Sequence, residues 1–176
     1  MVSPQILSRL LSKMINYQLK RLIWTWIKAK ELGLAKYWLI KSEPASYGWN
    51  DLLREGETVW NGVRNHRAKA NLAAMQVGDQ VFFYHSVTGK EIVGIAEVSE
   101  AEMTDPTDPD GKWAAVKVRP VKPLARPVTL AEIRADPALA DIELVRLSRL
   151  SVAEITSSEW KHICGMAKTS VEPIAS

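Results

Sequence analysis

The chain has 176 residues, 47% of them apolar and 24% charged, which suits one globular domain with a real core and leaves too little for two. Its net charge of +3 hides an asymmetry. Six of the 23 basic residues but one of the 20 acidic ones fall within residues 1–33, leaving the remainder slightly acidic with 17 against 19. Overall charge therefore excludes itself as an argument for nucleic-acid binding, which has to rest on a local patch.

Residues 5–31 read as an amphipathic helix, with Ile6, Leu10, Met14, Leu19, Leu22, Ile23 and Trp26 at helical spacing between Lys and Arg. The longest uncharged apolar run, Leu22 to Ile27, falls far short of the roughly 20 residues a membrane span needs. No small-residue cleavage site follows, which argues against a secretory signal. The acid-poor, basic character resembles a mitochondrial transit peptide or a surface-seeking helix. Gly33-Leu34-Ala35 makes a natural helix stop, so residues 1–34 are expected to be an appendage outside the chemistry, residues 35–166 the domain, and 167–176 a frayed tail.

From Lys36 the pattern turns to short strands. KYWLIKS (36–42) is a strand ended by Glu43-Pro44, and SYGWNDLLREG (46–56) a turn leading into a brief helix. ETVW (57–60) is a strand stopped by the Asn61-Gly62 turn, and 64–75 reads as helix. After the Gly78-Asp79 turn, QVFFYHS (80–86) is a strand, closed through Thr88-Gly89-Lys90 into EIVGIAEVSE (91–100). MTDPTDPDGK (103–112) is a polar loop and WAAVKVRPV (113–121) a strand, with Pro120 marking its edge. Thr129-Leu130-Ala131-Glu132 and Thr156-Ser157-Ser158-Glu159 are capping boxes opening two helices, the second stopped at Gly165. Residues 144–155 are mixed. Short strands and short helices without βαβ spacing predict an α+β fold on a small barrel.

Three clusters carry possible chemistry. On the 64–75 helix, Arg64, Arg67 and Asn71 line one flank of an apolar stripe of Ala68, Leu72 and Met75. Guanidiniums one turn apart suit phosphate oxygens, and equally suit a solvated face with nearby carboxylate partners. Among the aromatics, Phe82 and Phe83 are expected in the core. Trp38, Trp60 and Tyr84 stand near strand ends, where a ring can stack a nucleobase for about 1–3 kcal/mol.

The third cluster is Lys41-Ser42-Glu43. Glu43 can accept from the exocyclic amine of cytosine, and Ser42 can bond a ring nitrogen or carbonyl. The same three residues admit a nucleophile–base–acid reading, although strand alternation sends Lys41 and Ser42 to opposite faces, and they also suit a turn before Pro44. His66, His85 and His162 lack ligand spacing, and the single Cys164 has no disulfide or metal partner, so no metal or cofactor is expected. Arg146 and Arg149 form a second, smaller basic cluster.

KYWLIKSEP, VWNGVRNHRAKANL, VGDQVFFYHS, EIVGIAEV and RPVTLAEI…LVRLSRLSV, in that order over about residues 36–163, together resemble the EVE domain family. The resemblance implies a PUA-like fold, a five- or six-stranded barrel flanked by helices. It implies a non-catalytic module that binds nucleic acid and accepts a flipped, modified base: a C5-modified cytosine in DNA, or a modified RNA base. The base pocket it implies draws on Trp38, Ser42, Glu43, Trp60, Asn61, Gly62, Val63, Tyr84, His85 and Ser86. Phosphates would fall to Arg64, Asn65, Arg67 and Lys69. Gly48, His66 and Lys69 are mild departures from the family pattern. The enzymatic competitor is a small ASCH-type amidohydrolase acting on a modified nucleoside through Lys41 and Glu43. A monomer is expected, cytoplasmic in a bacterium and nuclear or mitochondrial in a eukaryote.

Overall fold

The computed structural model describes residues 36–170; the helix expected over 5–31 and the end of the tail lie outside the described residues. Six strands form one mixed sheet in the order β2-β5-β4-β3-β1-β6. They are β1 (Tyr37–Ser42), β2 (Thr58–Trp60), β3 (Gln80–His85), β4 (Glu91–Thr104), β5 (Ala114–Thr129) and β6 (Val152–Ile155). Only β1 and β3 run parallel, in register from Tyr37 opposite Gln80 to Ser42 opposite His85. The other four pairings are antiparallel, and β2 and β6 remain as edges, so the expected barrel is a sheet whose ladder does not close.

The central pair explains the layering. Trp38, Leu39 and Ile40 on β1 and Val81, Phe82 and Phe83 on β3 are all buried, so both faces of these strands are covered. Continuous apolar runs, not alternation, mark such doubly covered strands. The helices supply that cover: α1 (Trp49–Glu55), α2 (His66–Ala74), α3 (Leu130–Ala135), α4 (Glu143–Arg146) and α5 (Ser157–Met166), with a 3-10 turn at Pro137–Leu139. On α5, Trp160 stacks on Phe82 with centroids 3.8 Å apart and on Tyr37 at 4.7 Å.

Both capping boxes form as expected: Thr129 accepts from Glu132 N and Thr156 from Glu159 N. Gly165, expected to stop the last helix, lies inside it, because Ala167 N closes back on Ile163 and Gly165. Strand β5 also outruns its expected end at 121. It continues through Pro120, Pro123 and Pro127, beyond the stretch Val116–Val118 that pairs with β2. A missing N–H there costs no ladder bond on the β2 side, and register shifts in the β4–β5 pairing take up the rest.

Candidate nucleic-acid interface

The end of β1 and the turn after β2 enclose a cavity of about 590 Å³, lined by Lys41, Ser42, Glu43, Ser46, Tyr47, Thr58–Arg64 and Ser151. Trp60 is half-buried in its wall. Phe83 meets the indole edge-on at 5.6 Å and Tyr47 at 6.5 Å, so two perpendicular rings fix its orientation. Burial chiefly pushes the Tyr47 phenol up to about 12, and its hydroxyl donates to Glu55 Oε2 at 2.8 Å. Tyr47 therefore stays a neutral donor.

The polar side follows from the turn at Glu43-Pro44. The Glu43 carbonyl accepts from Ser46 N and Tyr47 N, both at 2.9 Å, while its exposed carboxylate has no partner among the described residues. Ser42 Oγ donates to the Tyr47 carbonyl at 2.6 Å, which commits its proton and leaves its lone pairs to accept. Lys41 Nζ donates to the Ser148 carbonyl at 3.1 Å, and burial lowers its pKa. Lys41 and Ser42 thus border one cavity despite strand alternation, because they are the last two residues of β1.

The opposite wall hangs from Asp105, at the start of the polar loop between β4 and β5. Gly62 has φ +72°, a conformation that favours glycine, and its N–H donates to Asp105 Oδ2 at 2.8 Å. Arg64 Nη1 reaches the same oxygen at 2.7 Å and Arg64 Nη2 reaches Thr107 Oγ1 at 3.0 Å. Asp105 Oδ1 accepts from Thr107 N and Oγ1. Burial alone would raise this fully buried carboxyl, but the bonds from Thr107, Arg64 and Gly62 hold it far below the usual carboxylate range. The only sequence signal was Asp105 two residues before Thr107, the spacing of an Asx turn.

These contacts revise the basic helix. Asn65 Oδ1 accepts from Arg67 N and Ala68 N, so Asn65 is the N-cap, α2 begins at His66, and Arg64 lies off the helix. The capping oxygen of Asn65 is thereby spent within the protein. Arg67 pairs with Glu143 on α4, and Asn71 Nδ2 donates to the Val152 carbonyl at 2.8 Å, so the flank expected to face solvent largely docks α2. Arg64, Lys69 and His66 surround Trp113, with Arg64 Cζ at 5.5 Å, Lys69 Nζ at 5.6 Å and the His66 centroid at 5.2 Å.

Trp38 is corrected from pocket to core. It is 1% exposed, does not line the cavity, and donates Nε1 to Asp79 at 2.7 Å. The buried Asp79 also accepts from Lys36 N and Gln76 N, which ties the start of β1 to the turn before β3. The third expected block is likewise outside this lining. His85 Nε2 accepts from Trp49 N at 3.1 Å and so supports α1, while Tyr84 and Ser86 border a second cavity. Ser42, Glu43, Trp60, Asn61, Gly62 and Val63 are the expected pocket residues that the fold does bring together. Among the described residues, no three His, Cys, Asp or Glu side chains are grouped to hold a metal. No helix among them is long and apolar enough to cross a membrane.

The fold has known counterparts. The EVE domain model matches residues 36–166. Thymocyte nuclear protein 1 of Mus musculus is 31% identical over 171 residues, covering 78% of this chain and 76% of its own length. An NMR structure of a protein from Rhodopseudomonas palustris is 46% identical, covers 81% of this chain and 99% of that one, and superposes with a TM-score of 0.74. The crystal structure of human THYN1 in complex with DNA containing 5-methylcytosine is 28% identical, covers 79% of this chain and 100% of that one, with a TM-score of 0.69. On the match across its whole described core, the chain belongs to the EVE domain family.

Proposed function

We propose that this chain is a non-catalytic reader that binds nucleic acid and takes a single flipped base, a C5-modified cytosine in DNA, into the cavity walled by Trp60, Glu43 and the 61–64 turn. The observation that carries the reading is the arrangement of Trp60: an indole fixed by two perpendicular rings, in one lining with the Glu43 carboxylate, which has no partner among the described residues. The human relative solved with 5-methylcytosine DNA supports the choice of ligand.

Flipping a base costs a few kcal/mol, which stacking on an aromatic face, about 1–3 kcal/mol, and edge hydrogen bonds must return. Glu43 accepts from the cytosine amine. Ser42, its own proton committed to the Tyr47 carbonyl, can only accept, so it does not donate to a ring nitrogen or carbonyl as expected and is left to meet the second hydrogen of that amine. A buried methyl adds only about 0.8 kcal/mol, so it tilts selectivity and does not generate affinity. Arg64 in the lining, and Arg67 and Lys69 on α2, are the cations assigned to phosphates, with Arg64 and Arg67 oriented by Asp105 and Glu143.

Affinity for matched modified and unmodified DNA and RNA oligonucleotides, at two salt concentrations, tests this. Modified DNA is expected to bind tightest. Trp60→Ala should weaken it about 5- to 150-fold, equivalent to about 1–3 kcal/mol, and Glu43→Ala should narrow the gap between modified and unmodified strands. Equal affinity for both strands removes the modified-base reading, and a preference for modified RNA reassigns the ligand.

One observation favours an enzymatic reading: the partly buried amine of Lys41 borders the same cavity as Ser42 and Glu43, the set an amidohydrolase would need. It requires turnover of an acylated nucleoside that disappears in Lys41→Ala.

A further inference from the structure

Tyr84 and Ser86 border a separate cavity of about 490 Å³, and Lys41 is the residue common to both linings. Three cations line it, Lys41, Lys90 and Arg134, and no Asp or Glu does. Lys90 and Arg134 are exposed and have no carboxylate partner among the described residues. Arg146 and Arg149, flanking the wall residue Ser148, are also without an ion pair there. The contrast with the other basic cluster is direct. Arg64 and Arg67 have carboxylates to meet, whereas no carboxylate lines this cavity.

Like charges gathered on one concave surface repel, and an anion placed among them relieves that repulsion. Tyr84, Ser86 and Ser148 add hydroxyl donors to the same lining. Lys41 Nζ lies 6.0 Å from the Tyr84 ring, and the charge of Arg134 also acts on the Tyr84 phenol. Lys90 is presented by a turn in which both Val87, φ +63°, and Lys90, φ +50°, occupy the left-handed region, a costly conformation that a fold retains where its surroundings dictate it.

We propose that this second cavity is a phosphodiester site, which holds a backbone phosphate of the nucleotide next to the one whose base enters the first cavity. A strand leaving the first cavity passes Lys41 and meets Lys90 and Arg134. Cations and hydroxyls in one lining match the two non-bridging oxygens of a phosphodiester and its ester oxygens. The placement beside a flipped base rests on the reader function proposed above; the phosphate chemistry does not.

The test uses the full chain and an abasic deoxytrinucleotide, which carries phosphates and no base, followed by amide shifts at Ser86, Lys90 and Ser148. Shifts at these three positions are expected. Lys90→Asn combined with Arg134→Gln should weaken the abasic probe and both modified and unmodified oligonucleotides about tenfold each, and lower the salt slope by about 0.7–0.9 for each charge removed. The ratio of modified to unmodified affinity should stay as in the wild type. Neither side chain has a hydrogen-bond or ion-pair partner among the described residues, so the thermal midpoint is expected not to fall. Silent amides at those positions, or a double variant with wild-type affinity and slope, overturn the proposal. Inorganic phosphate alone producing the same shifts at the same concentration also overturns it, in favour of a free-phosphate site. A wild type that binds the abasic probe here without discriminating modified cytosine upholds the phosphate site and removes the base reading.

Discussion

The amide of Gly62 and the carboxylate of Asp105 are 43 residues apart in sequence and 2.8 Å apart in space. Through this bond the β4–β5 loop sets the position of the turn that walls the candidate base cavity, and Arg64 closes on the same oxygen. Asp105→Asn keeps the shape and removes the charge. It is expected to cost about 1–3 kcal/mol in denaturant unfolding, since a bond from the charged Arg64 is weakened inside a buried site. It should also reduce affinity for modified oligonucleotides without abolishing folding. Because the folded carboxyl sits well below its unfolded value near 3.9, its stabilisation is present above about pH 4 and is lost as pH falls through the folded value. The gap between wild type and variant should therefore shrink in acid. A gap that is constant down to pH 2 rules the linkage out.

Gly94 is fixed by contact. A Cβ at this position would lie 2.5 Å from the indole of Trp49, which packs across it and against Phe83 at 5.5 Å. Gly94→Ala forces α1 outward and is expected to cost about 1–3 kcal/mol, the range for overpacking a dense core. Urea unfolding followed by tryptophan fluorescence measures it; a neutral result contradicts the packing.

His85 gives the stability a dependence on mild acid. Its Nε2 accepts from Trp49 N, which requires the neutral ring, and burial lowers its pKa against the opposing pull of Glu91. A depressed value means the contribution is present above about pH 6.5 and is lost as pH falls through the folded pKa. The urea midpoint of the wild type should drop between pH 7 and 5. His85→Gln, which can still accept, should show a smaller drop over the same range, and equal drops would clear His85 of the effect.

Cys164 is buried on α5, and burial pushes its thiol up to about 11. At neutral pH it is protonated as well as shielded, so a thiol reagent should label it only on unfolding. Labelling at the rate of a free thiol in the native protein would contradict its placement.

Local chemistry made much of the architecture readable in advance. Thr129 with Glu132 and Thr156 with Glu159 start helices because capping is settled within four residues, and Asn61-Gly62 turns because Gly62 takes a positive φ. The strand boundaries of β1 and β3 were legible for the same reason: their apolar runs stop at polar turns. Alternation misled for Trp38, since a central strand buries both faces and leaves no face free to line a pocket. The proline-bearing end of β5 outran its expected limit because whether a missing N–H matters depends on which strand lies alongside, and that is a non-local fact.

By itself, then, the order of residues determined where the two capping-box helices and strands β1 and β3 begin, which turns need glycine, and which family pattern the chain carries, all of which depend on neighbours within a few positions. Tertiary structure alone decided which cations are paired. Arg64 and Arg67 find Asp105 and Glu143 through contacts 41 and 76 residues long, while Lys90 and Arg134 share a cavity lining that contains no carboxylate. Charge partnership is set by distance in space, which falls off over a few ångströms and takes no account of separation along the chain.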